Sequence, residues 1–199
     1  MPNDEYEIIK VPDPVLKETA HIVEEINSDI KTQISKMINT MYAGAGIGLA
    51  ANQVAKLNRI FVMDVPQGAW VHGPVIDGIQ TIEAGYKSGQ RQEEMVKNPR
   101  ALINPEIIWS SEQKSVYEEG CLSIPQQYGE VIRPAQVRVK FQDVHGITHE
   151  EEFDGLDSHC VQHEIDHLDG VLFIDYLSSL KRNMILRKMK KLQKDTQVL

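Results

Sequence analysis

The 199-residue chain is 41% hydrophobic and 25% charged, a balance that suits one soluble globular domain with its own core and excludes a disordered chain. Its two cysteines, Cys121 and Cys160, are too few for a disulfide scaffold, no apolar run approaches a membrane span, and the opening Met1-Pro2-Asn3-Asp4-Glu5 is acidic, so the chain reads as a cytoplasmic protein without a targeting segment. The net charge of −8 divides into +6 over residues 181–199 and −14 over residues 1–180, so the tail rather than the body would meet a polyanion, and neither DNA nor a membrane is an expected partner.

In chain order, Ile8 to Pro14 reads as a short extended piece broken by prolines. Ile30, Ile34, Met37, Ile38 and Met41 recur at helical spacing, which predicts a helix to about Tyr42 with Ser28 as its cap. Gly44-Ala45-Gly46-Ile47-Gly48-Leu49-Ala50-Ala51-Asn52-Gln53 follows. Its alternate glycines let backbone approach something closely, but no Gly-Lys-Ser/Thr follows them, so a phosphate loop is excluded. Arg59 to Val65 is a strand candidate, and residues 66–100, rich in glycine, proline and charge, read as a surface excursion carrying no chemistry. Strands are predicted at about 101–109, 114–118, 130–133, 137–143 and 147–153, the last two joined through Asp143-Val144-His145-Gly146. A helix from about Gly155 to Asp169-Gly170 follows, then an amphipathic helix over 176–194, apolar at Leu177, Leu180, Met184 and Leu192 and otherwise basic.

The first of these two helices contains His163-Glu164-Ile165-Asp166-His167. Two imidazoles four residues apart share one helix face, which is half a metal site with a general base beside it. A third ligand is needed, and the common downstream completions are missing: Phe173 stands where a histidine would, and Glu164 is the last glutamate of the chain. Cys160 and His159 lie about 7 Å and 9 Å along the axis from the level of an ion held between the two histidines, at about 1.5 Å per residue, beyond the reach of either side chain. Cys121, after Glu119 and Gly120 on an extended segment, is the remaining thiol; spacing leaves it either a ligand or a buried structural cysteine.

Taken together, Gly46-Ile47-Gly48-Leu49-Ala50-Ala51-Asn52-Gln53, Glu119-Gly120-Cys121-Leu122-Ser123 and His163-Glu164-Ile165-Asp166-His167 resemble, in order, the three signature motifs of peptide deformylases. The resemblance implies an α+β fold with small antiparallel sheets packed around a central metal-binding helix, flanked by an N-terminal and a C-terminal helix. It implies a single domain over 1–199 with a surface insertion at 66–100. It also implies Cys121, His163 and His167 as metal ligands, Glu164 as acid and base, and the Gln53 side chain with the Leu122 N–H as the oxyanion site. Gly46, Ile47 and Gly48, with Gly120 opposite, would hold an extended substrate.

The implied reaction removes formate from formyl-methionyl peptides, with Fe²⁺ as metal and Zn²⁺, Ni²⁺ or Co²⁺ able to substitute. Similar C-terminal helices suggest a ribosome contact. Two departures from the family stand out. His159 occupies a place that is apolar in the family, near the methionine pocket, and is expected to turn outward, while Tyr128 stands where many bacterial members carry a basic residue. A metallopeptidase, or a metal-bearing binding module without catalysis, are the other readings; the missing downstream ligands count against the first, and Glu164 and Gln53 against the second.

Overall fold

The computed structural model describes residues 4–66, 68, 70–85 and 97–196. Helix α1, Ser28–Ala43, buries Ile30, Ile34, Met37 and Met41 along one stripe, as the apolar spacing predicts. Its cap is Asn27 rather than Ser28: the Asn27 side chain accepts from the N–H groups of Asp29 and Ile30 at 3.0 and 3.1 Å. Both residue types cap well, and Asn27 is the one left in extended backbone.

Two sheets follow. The first runs β1 (Gly48–Ala50), β2 (Ile60–Met63), β5 (Arg100–Ser110), β8 (Gln136–Gln142) and β9 (Thr148–Asp154), in that spatial order and antiparallel throughout. The second comprises β3 (Trp70–Ile76), β4 (Ile79–Ala84), β6 (Lys114–Cys121) and β7 (Ile124–Pro134), again in that order. The β4–β6 pair is parallel, which departs from the all-antiparallel expectation. That pairing arises because the excursion expected at 66–100 is partly regular: β3 and β4 form a hairpin and extend the second sheet. The turn is Asp77-Gly78, both with positive φ (51° and 80°), the combination a tight hairpin turn demands. The charged run expected at Arg91 to Lys97 lies, as far as residue 96, outside the described residues.

Helix α2, Gly155–Leu168, sits between the sheets with all but Asp157 and Asp166 buried. Val161, Ile165 and Leu168 pack against Phe61, Leu102, Val137, Val139 and Phe153 of the first sheet. Each fully buried aliphatic side chain of this kind contributes roughly 1.5–3 kcal/mol. That packing fixes the helix, and so decides which of its faces turns toward β6. The second sheet has its own contact with α2: the Trp70 ring lies where a β-carbon on Gly155 would sit, and the indole N–H donates to Asp157 at 3.2 Å.

After α2, a 3₁₀ turn over Phe173–Tyr176 precedes helix α3, Ser179–Thr196. The helix starts three residues later than predicted, and its docked residues are Ile185 and Met189, whereas Leu180, Met184 and Leu192 are exposed. The stripe expected to dock, Leu180, Met184 and Leu192, therefore faces solvent, and the helix packs instead through Ile185 and Met189, which the sequence reading did not single out.

Candidate metal centre and cleft

Two periodicities meet at the site. Along β6, alternation puts Ser115, Tyr117, Glu119 and Cys121 on one face; along α2, helical spacing puts His159, His163 and His167 on the facing stripe. The donor atoms of Cys121, His163 and His167 all lie within 4.8 Å of one another. Cys121 Sγ is 3.2 Å from His167 Nε2, and the His163 and His167 rings meet edge to face at 4.9 Å between centroids. Cys121 reaches this point because the β6–β7 register shifts between Gly120 and Cys121, ending the strand against the helix. Cys160 contributes no donor: its buried thiol lies 3.6 Å from the Ile47 carbonyl, and burial first, then the Glu164 charge, pushes its pKa well up.

Glu119 organises the centre. Its two oxygens accept from His163 Nδ1 at 2.8 Å, His159 Nδ1 at 3.2 Å, and Arg133 Nε and Nη2 at 2.6 and 3.0 Å. Burial alone would raise its pKa, but the hydrogen bonds from His159, His163 and Arg133 hold it well below the carboxylate range. An ionised carboxylate only accepts, so both imidazoles carry their protons on Nδ1. His163 therefore turns Nε2 toward Cys121 and His167, the arrangement that suits a metal ligand. Sequence reading noted Glu119 only as a nearby charge; its two-residue offset from Cys121 on a strand was the available signal. Arg133 had no such signal, because its partners Glu119 and Asp166 (2.7 Å) come from other elements.

His159 does not turn outward. It is 1% exposed, and its Nε2 lies 2.9 Å from Ser115 Oγ. The acidic face of β6 and a hydroxyl supply the polar partners that make burial of the ring affordable.

Glu164 is 4% exposed, and burial pushes its pKa up to about 7. Among the described residues, its Oε2 has no hydrogen-bond partner. A β-carbon on Gly48 would lie 2.3 Å from Glu164 Oε1, so the glycine is what lets the carboxylate reach the cleft. Gln53 is held in a 3₁₀ turn over Ala51–Val54. The Ala50 N–H donates to its Oε1 at 2.8 Å, while its Nε2 donates to Ser123 Oγ at 3.2 Å and to Cys121 Sγ at 3.4 Å, which sets the amide's orientation. The Leu122 side chain packs on Gly44 and Gly46, where added β-carbons would meet it at 3.0 and 2.9 Å.

These residues line a cleft of about 530 Å³. Gly46, Ile47 and Gly48 form one wall, leading into the edge strand β1; Gly120 and the exposed Tyr128, whose ring approaches within 2.8 Å of a β-carbon position on Gly120, form the other. A thiol with two imidazoles, one already oriented by a carboxylate, fits Zn²⁺ or the softer Fe²⁺.

A three-donor metal centre, a buried carboxylate and a fixed amide donor around one cleft define a metal-dependent hydrolase. The chain belongs to the polypeptide deformylase family, whose sequence model matches residues 5–183. It is 47% identical over 188 residues to the peptide deformylase of Novosphingobium aromaticivorans, covering 94% of this chain and 97% of that one. The peptide deformylase of Bradyrhizobium diazoefficiens is 46% identical over 188 residues, 94% and 96% of the two chains. Among solved structures, peptide deformylase from Ehrlichia chaffeensis superposes with a TM-score of 0.79 at 34% identity, over 95% of this chain and 97% of that one. The same enzyme in complex with actinonin gives 0.78 at 35%, over 94% and 96%.

Proposed function

We infer that this chain removes the formyl group from the N-terminal formyl-methionine of nascent polypeptides, with Cys121, His163 and His167 holding one metal ion. The observation that carries the reading is the convergence of those three donors beside the unpartnered carboxylate oxygen of Glu164. When bound, the metal supplies Lewis acidity, lowering the pKa of water toward neutrality and polarising the formyl oxygen.

The chain's residues divide the remaining work. Glu164, in a site dry enough to raise its pKa, accepts the proton of the attacking water and returns it to the departing amine. As negative charge grows on the formyl oxygen, the Leu122 N–H donates to it, joined by the Gln53 Nε2 hydrogen that exchanges its long contact with Cys121 Sγ for the oxyanion, each such donor being worth roughly 10²–10³ in rate. Gly46, Ile47 and Gly48 pair with the substrate backbone as an added strand on the free edge of β1, and Gly120 leaves room on the opposite wall. The actinonin complex of the Ehrlichia relative supports placing a ligand in this cleft.

Fe²⁺ is the metal we assign, with Zn²⁺, Ni²⁺ or Co²⁺ replacing it. We assign the enzyme to the cytoplasm, as the compartment in which it would meet formyl-methionyl chains. The whole chain acts as one domain, with an insertion at 66–100 whose strands β3 and β4 extend the second sheet. The exposed Arg187, Lys188, Lys190 and Lys191 of α3 suit RNA, and we assign them a ribosome contact. Because Ile185 and Met189 of that helix are buried, charge reversal of those four residues is a better test than deletion. Ribosome co-sedimentation should fall while hydrolysis of a short formyl-peptide stays at the parental rate; equal loss of both would remove the assignment.

The alternatives fare worse. The metallopeptidase completion is blocked because Phe173, where its third histidine would stand, is a buried ring stacked on His163 at 6.2 Å. A purely structural metal site would need neither Glu164 nor Gln53 and would close with a fourth protein ligand. Formate release from formyl-Met-Ala-Ser tests the reading. The metal-loaded parent should be active, and Glu164→Ala should retain metal with near-complete loss of activity. Full activity in the variant would remove the role given to Glu164, and an inactive metal-loaded parent would favour the binding module.

A further inference from the structure

Glu119 carries one more clamp than orienting His163 requires. Its Oε2 takes His163 Nδ1 and Arg133 Nη2, and its Oε1 takes Arg133 Nε together with His159 Nδ1. His159 is anchored from behind: its Nε2 shares a hydrogen bond with Ser115 Oγ at 2.9 Å. The Tyr117 ring lies tilted on it at 5.9 Å. Ser115 is 0% exposed and His159 1% exposed, so the chain Ser115–His159–Glu119–His163 runs through the interior from β6 to α2 and back.

The first three members have the connectivity of a serine–histidine–acid triad, hydroxyl to Nε2 and Nδ1 to carboxylate. A fully enclosed Ser115 Oγ cannot meet a substrate, so the same geometry holds a carboxylate in place instead. We propose that His159, backed by Ser115, is a positioning residue for the metal centre: it pins Glu119 Oε1 so that Oε2 holds the His163 ring with Nε2 aimed at the site. Without His159, Oε1 keeps only Arg133. The carboxylate can then pivot about the guanidinium, and the His163 ring gains rotational freedom. His159 stands two hydrogen bonds from His163, through Glu119, and outer partners that orient a ligand act on metal retention more than on fold. The inference rests on the reading of His163 as a ligand.

The test compares Zn²⁺-loaded parent, His159→Leu, His159→Asn, Ser115→Ala and His163→Ala by the rate of Zn²⁺ transfer to a chromogenic chelator, with the visible bands of the Co²⁺ forms and thermal midpoints alongside. The asparagine amide can place an N–H near the Nδ1 position. His159→Leu should release Zn²⁺ roughly tenfold faster than the parent with shifted Co²⁺ bands, whereas His159→Asn should stay within about twofold. Ser115→Ala should fall between them. Parental release and parental bands in His159→Leu would overturn the inference. So would equal acceleration in the leucine and asparagine variants in step with lost thermal stability, which would mark a packing effect. His163→Ala separates the two levels. If it binds Zn²⁺ as the parent does, the assigned centre fails and the inference with it; if it alone loses the metal, only the inference fails.

Discussion

Gly48→Ala puts one methyl group between the cleft wall and Glu164, the general base we propose. The added β-carbon would lie 2.3 Å from Glu164 Oε1, 2.8 Å from its Cδ and 3.0 Å from Cys160 Sγ, against 3.4 Å for an ordinary contact. Relief requires the carboxylate to withdraw by about 1 Å, since α2 is pinned by Val161, Ile165 and Leu168 in the core and the strand is held by its pairing with β2. A displacement of that size at a reacting group costs about 10²-fold in rate, and overpacking of this kind costs about 1–3 kcal/mol in stability. Steady-state kinetics on formyl-Met-Ala-Ser should show kcat down about 100-fold, with metal content at parental stoichiometry because no ligand is touched. A kcat within about twofold of the parent would refute the placement of Glu164 against Gly48. Loss of metal together with activity would mean that the helix moved rather than the side chain.

Three further outcomes follow from the packing. Arg133→Met leaves Glu119 buried without its bidentate partner and should cost about 3–5 kcal/mol, read as a lowered urea midpoint at unchanged slope; a loss under about 1 kcal/mol would count against the network. Trp70→Ala uncovers Gly155 and removes the hydrogen bond to Asp157; because the ring is only half-buried, the loss should be about 2 kcal/mol, below the 3–5 of a fully buried aromatic, and an unchanged thermal midpoint would return the hairpin to mere surface. In the β8–β9 turn, the hydrogen bond from His149 first, then backbone N–H groups, lowers the Asp143 carboxyl to about 2. A depressed folded-state value means that its contribution is complete above the unfolded value of about 3.9 and fades as pH falls through about 2. Asp143→Asn should therefore flatten the stability profile between about pH 4 and 2 while leaving pH 7 solubility unchanged; parallel profiles for parent and variant would exclude the effect.

Much of the centre was legible because its signals are local. Helical spacing alone places His163 and His167 on one face with Glu164 beside them, whereas the strand alternation that couples Cys121 to Glu119 was a local signal left unread. The rest was illegible for an equally physical reason. Arg133 and Ser115 act through contacts between elements, and no spacing within one segment encodes them. His159 was expected to face outward because a lone polar residue on a pocket helix is costly to bury, a cost that Ser115 and Glu119 remove. The hairpin within 66–100 hid behind glycines and charges, although Asp77-Gly78 between apolar residues carried its turn signal. On α3, the expected stripe of Leu180, Met184 and Leu192 was the wrong one, because the face that packs, Ile185 and Met189, is set by contacts with other elements.

By itself, then, the sequence determined the chemistry available to this chain: two imidazoles a turn apart with a carboxylate beside them, one usable thiol upstream, glycines where backbone must come close. Those properties follow from residue type and from the fixed rise and period of helix and strand. Only the tertiary structure decided which groups meet, because that depends on how α2 lies between the sheets and where the register shift ends β6. It put Glu119 against two histidines and one arginine, turned His159 inward, and left Glu164 buried at the cleft with one carboxylate oxygen unpartnered among the described residues.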